Sequence, residues 1–181
     1  MKNRFLFFST IGELFLLAVS VFILKKFQQM PDFYIDSLGI YTSVLVGVLV
    51  FLLGFYISKV FLFAKRIDQV LYINVFKQAS ILEMFYISVL SAFSEEMFFR
   101  GLMQEFLGIY AASIFFGILH TPEISIKGLF YAIYISFIGF ILGVLYTQQS
   151  SILAPMIAHF IINFLGIIHL TLYNKFLKGK D

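Results

Sequence analysis

The chain contains no cysteine, only three prolines, and charged residues at just 13% of its 181 positions. Without cysteine, disulfide frameworks, thiolate metal sites and cysteine nucleophiles are excluded, and nothing about redox compartment can be read. Charge is scarce by a wide margin: a soluble domain carries about 25% charged and about 45–50% apolar residues. Here 61% of residues are hydrophobic, 19% are aromatic, and the mean hydropathy is +0.96. Such a composition belongs to an integral membrane protein. Other absences remove whole chemistries. There is no HExxH zinc box, no GxSxG or comparable serine nucleophile motif, no phosphate-binding glycine loop, and no internal repeat. The net charge of +3 comes from basic residues scattered at helix ends, which fits loops facing anionic lipid and no nucleic-acid partner.

What is present is hydrophobic length. A membrane-crossing helix needs about 20 apolar residues. The sequence predicts an all-α polytopic membrane protein of about six spans (range 5–8) around an intramembrane polar cavity. The spans are expected at 5–24, 39–63, 80–106, 107–120, 127–147 and 152–173. One membrane domain over 1–181 is expected, with a core over 80–172. The N-terminal stretch MKNRFLFFSTIGELFLLAVSVFILKKF has the basic start of a signal peptide, but its apolar run is too long for one and reads as a retained first span. NKFLKGKD, the C-terminal stretch, carries no lipidation box. Residues 65–79 read as an amphipathic interfacial stretch, with Ile67, Leu71, Val75 and Ala79 repeating every four residues. Lys and Arg number ten on the face bearing Lys2, Arg4, Lys59, Lys65, Arg66, Lys77, Lys127, Lys175, Lys178 and Lys180, against Lys25 and Lys26 on the other. By the positive-inside rule both termini are expected in the cytoplasm.

Against this background the segment SEEMFFRG (94–101) is out of place. Each charge at a helix centre costs about 2.5–3.5 kcal/mol in lipid, so Glu95, Glu96 and Arg100 must face protein or water. Glu96 and Arg100 are i, i+4 neighbours able to pair. Glu95 is turned about 100° away from Glu96 and is left as a free carboxylate. The alternative is a charged turn that splits 81–94 from 102–119, but SILEMFYISVLSAF is too short to cross independently. Two later features complete a set. His120 follows Phe116 by one helical turn in FFGILH, and His159 and Asn163 share a face in APMIAHFIIN. Taken singly, each is most simply a packing residue or helix–helix glue. Together, a carboxylate, two histidines and an amide from separate spans supply a base, a proton carrier and oxyanion donors, enough to hydrolyse a peptide bond. Glu13, mid-span in the first helix, reads as packing or a minor polar-network residue. Glu83 and Glu105 lie near helix ends, and His169 reads as a snorkelling interfacial residue.

EEMFFR, FGILH and HFIIN, in that order, match the patterns EExxxR, FxxxH and HxxxN. The chain thereby resembles the CPBP family of intramembrane proteases, also called Abi, which includes type II CaaX prenyl endopeptidases and bacteriocin-processing and immunity proteins. The similarity covers about residues 80–172. It implies that Glu95 activates the hydrolytic water, that His120 assists the water or the proton transfers, and that His159 and Asn163 stabilise the oxyanion. Glu96 and Arg100 would support the site. No cofactor is expected; a zinc ion on Glu95, His120 and His159 is the less favoured alternative. The implied protein is a prokaryotic cytoplasmic-membrane endopeptidase that processes a membrane-associated protein or peptide with a membrane-proximal cleavage site. Its rivals are a non-catalytic immunity or scaffold protein of the same fold and, less favoured, a proton-coupled transporter. One geometric requirement follows. His120 must lie deeper than a loop end, with the chain after it dipping into the membrane, which non-helical backbone does only when protein-buried or lining a watery cavity.

Overall fold

The computed structural model describes the backbone of residues 2–60, 79–121 and 124–178, and the side chains of 6–60, 79–121 and 124–172. Among the described residues every regular element is helical: α1 (Lys2–Phe27), α2 (Ser37–Val60), α3 (Ile81–Glu96), a π-helical segment (Met97–Gln104), α4 (Glu105–Leu119), α5 (Ile126–Gln149) and α6 (Leu153–Lys178). The interfacial stretch expected at 65–79 falls almost wholly outside the described residues, as do Pro122 and Glu123 of the expected dip.

Five helical segments are long and apolar enough to cross a membrane: Leu6–Phe27, Ser37–Val60, Ile81–Leu119, Ile126–Gln149 and Leu153–Leu172. Many of their large apolar side chains point outward; Phe7, Phe8, Phe15, Phe22, Leu38 and Leu82 are among the exposed ones. In water this surface would be untenable, and in lipid it is the expected face.

The third segment folds back on itself. In one straight helix, residues 99 and 116 would lie about 25 Å apart at about 1.5 Å per residue. Their phenyl rings instead meet with centroids 4.9 Å apart. The reversal is at Gly108, whose φ of 81° and ψ of 165° interrupt the helix in a region open essentially to glycine alone. The two expected spans 80–106 and 107–120 are therefore the legs of a helical hairpin. The first leg starts from the capping box of Ser80 and Glu83 and is long enough to cross. The second leg, residues 109–119, rises only about 16 Å, roughly half of the hydrocarbon thickness.

Contacts fix the helix directions. Glu13 lies beside Ser94, and Leu24 clusters with Met97 and Leu102, so α1 runs parallel to the first hairpin leg. Asn163 meets Ser91 and His159 meets Glu96, so α6 runs antiparallel to it. Close helix approaches depend on missing side chains. A Cβ on Gly117 would come within 2.3 Å of the Ala132 carbonyl oxygen on α5, and one on Gly47 within 2.8 Å of that of Ala158 on α6. Small residues at such crossings let backbones touch where no hydrophobic force drives helices together in lipid.

Candidate active site

The site is assembled from α3, the end of the short hairpin leg, and α6. On α3, Ser91 and Glu95 are i, i+4; on the antiparallel α6, His159 and Asn163 have the same spacing. The two faces mate pair to pair. Asn163 Nδ2 donates to Ser91 Oγ at 3.0 Å, and His159 Nε2 lies 3.9 Å from Glu95 Oε2. The short leg then delivers His120. Because that leg returns only about 16 Å from the Gly108 turn, its C-cap His120 sits level with Glu95, with Nε2 3.0 Å from Glu95 Oε2. The depth His120 requires is thus met by a half-length helix. Glu95, His120 and His159 meet around one carboxylate, and Asn163 lines the same cavity.

Both imidazoles are held by their far nitrogens. His120 Nδ1 donates to the Phe116 carbonyl oxygen at 2.7 Å, a bond that fixes which nitrogen faces the centre. The Nδ1 of His159 meets Glu96 Oε1 at 2.6 Å. Each ring therefore presents Nε2 to Glu95. Phe116, the aromatic of the FxxxH pattern, supports both: its ring lies 4.2 Å from that of His120 and 5.8 Å from that of His159.

Glu96 and Arg100 pair as their spacing predicts, Arg100 Nε to Glu96 Oε2 at 3.1 Å, and both are fully buried. The pair reaches further than one helix. Glu96 anchors His159 on α6, and Arg100 Nη2 donates to the Gly139 carbonyl oxygen on α5 at 2.8 Å. The guanidinium also lies over Phe116, 4.8 Å from the ring centre, a favourable cation–π placement. The π segment begins directly after Glu96. Such i→i+5 segments recur at functional sites.

A cavity of about 480 Å³ opens in front of these groups, lined by Glu95, His120, His159, Asn163, Ser91 and Glu13 together with apolar walls from α2 and α5. His120 is more open than Glu95 or His159, with its side chain 33% exposed against 12% and 5%. Among the described residues no three His, Asp or Glu side chains stand as a metal-holding group.

Sequence reasoning missed one participant, Ser91, and named Glu13 only as a packing or minor polar-network residue. Ser91 was findable, being one turn before Glu95 on the same face. Glu13 has no partner legible in the sequence; its carboxylate accepts a hydrogen bond from Ser94 Oγ, a contact across 81 residues that no local pattern encodes. The ring of His169 packs edge-on against Phe55 of α2, with centroids 4.8 Å apart. Glu105 accepts from the Tyr146 hydroxyl at 2.9 Å.

A helical membrane protein with a carboxylate and two anchored imidazoles around an internal cavity has the makings of an intramembrane hydrolase. Residues 77–165 match the family described as "Type II CAAX prenyl endopeptidase Rce1-like", and the chain belongs to this CPBP-type family of intramembrane proteases. A curated relative, "Uncharacterized protein YpbD" of Bacillus subtilis (strain 168), is 35% identical over 128 residues, covering 71% of this chain and 67% of the relative. No solved structure matches. Membership in a protease family implies a peptide or protein substrate.

Proposed function

We propose that the chain is a glutamate-type endopeptidase in which Glu95 activates water inside the membrane. The observation that carries this reading is the convergence of two Nδ1-anchored imidazoles on the Glu95 carboxylate, at 3.0 and 3.9 Å, beside a cavity. Proton inventory supports it. His120 Nδ1 donates to the Phe116 carbonyl oxygen, so a proton on Nε2, 3.0 Å from Glu95 Oε2, makes the ring an imidazolium beside the carboxylate. In the carboxylate–imidazolium form Glu95 is the base. It takes a proton from water as the oxygen attacks the peptide carbonyl carbon. His159, donating from Nε2 when both of its ring nitrogens carry protons, and the second N–H of Asn163 stabilise the oxyanion. As the C–N bond breaks, the His120 imidazolium protonates the leaving amine. The proton on Glu95 then passes to His120, and the resting pair is restored. Water is consumed, and a carboxylic acid and an amine leave, the acid giving its proton to solvent. No step requires a metal.

We further propose a prokaryotic cytoplasmic-membrane location with both termini in the cytoplasm, supported by the ten-to-two basic asymmetry and by the bacterial relative. The test uses purified protein in proteoliposomes and quenched fluorescent peptides ending in a CaaX sequence, with and without a prenyl group on the cysteine. Wild-type cleavage should survive a strong metal chelator. Glu95→Gln should lose at least about 100-fold in kcat, the scale of general-base loss, at an unchanged melting temperature. Chelator-sensitive cleavage would replace water activation by a metal. Full activity of Glu95→Gln would sink the mechanism and favour a scaffold role.

A further inference from the structure

Asn163 enters the proposed mechanism through its side-chain amide, and an amide has two unlike ends. The nitrogen donates and the oxygen accepts, on nearly the same shape. Turned over, Asn163 would set a lone pair against the negative charge that it is assigned to stabilise. A partner must therefore hold one end. Among the described residues that partner is Ser91 on α3, whose Oγ accepts from Asn163 Nδ2 at 3.0 Å. Both residues line the cavity, and Ser91 is only 8% exposed.

Ser91 differs from four other serines buried in the helices. Ser20, Ser43, Ser88 and Ser113 each donate to the carbonyl oxygen four residues back, at 2.6–2.7 Å. Such a bond closes the hydroxyl on its own helix. Among the described residues Ser91 makes no bond of this kind. Its contact along α3 is with the Ser88 carbonyl oxygen, three residues back at 3.5 Å, the outer limit of a hydrogen bond. Its short bond runs to α6 instead. With its one proton aimed along α3, the hydroxyl offers lone pairs to the amide and so selects the nitrogen end. A serine kept only for close helix packing would be closed on Ile87, one turn back, as the other four are on theirs.

We propose that Ser91 is a positioning residue of the active site: it holds one N–H of Asn163 and thereby turns the other toward the substrate carbonyl oxygen. The inference rests on the oxyanion role assigned to Asn163 and extends that role to a second helix. An Asn–Ser bond between helices can also serve as simple glue in a membrane. Glue and positioning are separable. Loss of glue lowers the melting temperature, whereas loss of positioning lowers kcat and does so only while Asn163 is present.

The test compares wild type with Ser91→Ala, Ser91→Thr, Asn163→Ala and the Ser91→Ala/Asn163→Ala double variant, using the fluorescent peptide in proteoliposomes and the melting temperature. The side-chain amide signals of 15N-asparagine-labelled protein in detergent micelles are followed in parallel and need no turnover. Losing an oxyanion donor outright costs about 100- to 1,000-fold, so Ser91→Ala, which leaves the amide present but unheld, should lower kcat by about tenfold. KM and the melting temperature should stay, the pattern of an interaction made only in the transition state. Ser91→Thr keeps the hydroxyl and should recover most of the rate. With Asn163 already alanine, Ser91→Ala should cost nothing further. An undiminished kcat in Ser91→Ala overturns the proposal. So does the same loss in both backgrounds, which would place the action of Ser91 elsewhere. If Asn163→Ala cuts at the wild-type rate, or no peptide is cut, the amide signals missing from Asn163→Ala decide. Their displacement in Ser91→Ala sustains the hold on Asn163 while the oxyanion role fails, and unmoved signals end the proposal.

Discussion

At the residue scale, the difficult fact is the burial of three charges in a chain made for lipid. Glu96 and Arg100 are both fully buried, and the pair is retained because it does two things at once. It neutralises itself, and it clamps His159 on α6 and the Gly139 carbonyl on α5. Breaking one side should cost more than the pair itself contributes. Arg100→Leu strands the Glu96 carboxylate and should lower stability by about 3–5 kcal/mol, the scale of a broken buried ion pair. Combining it with Glu96→Leu should recover much of that loss in a thermal melt. Activity should not return in the double variant, since His159 Nδ1 then has no carboxylate to hold it. Equal stability of the single and double variants would show that the pair is not coupled.

At the element scale, the decisive piece is the hairpin. Its second leg is too short to cross, and that shortness places a helix C-terminus, His120, level with the middle of the first leg. The turn depends on Gly108, where a side chain would be strained at φ 81° and ψ 165° although a Cβ there would meet no heavy atom within 4 Å. The obstacle is thus backbone strain rather than space. Gly108→Val should cost about 1–3 kcal/mol and lower kcat by displacing His120. Gly12→Val, on α1 with comparable open space and no positive φ, is the control and should be near neutral for the melt. A Gly108→Val protein that melts like wild type would refute the strain assignment.

At the scale of the whole molecule, the helix directions put the start of α1, the end of α2 and the end of α6 on one face, and the α1–α2 and α5–α6 links on the other. The latter two touch: Ile152 N–H donates to the Asp32 carbonyl oxygen at 2.9 Å. The absence of native cysteine makes orientation directly measurable. In intact cells, single cysteines at Gln29 or Tyr34 should react with a membrane-impermeant thiol reagent. Those at Ala79 or Ile124 should react only after the membrane is opened. The reverse pattern would invert the proposed orientation.

Much of this was legible without coordinates. Composition determined the membrane class, because charge and hydropathy are sums over residues and do not depend on fold. Helical spacing determined the Glu96–Arg100 pair and the shared face of His159 and Asn163, because i, i+4 geometry is local. The resemblance implied which residues belong to one site. Tertiary structure alone decided that His120 reaches Glu95 from a half-length leg, that His159 is held by Glu96, and that Glu13 joins the cavity through Ser94. Each of these is a contact between helices distant in sequence. Their register is set by the Gly108 reversal and by side-chain packing, neither of which a local pattern specifies.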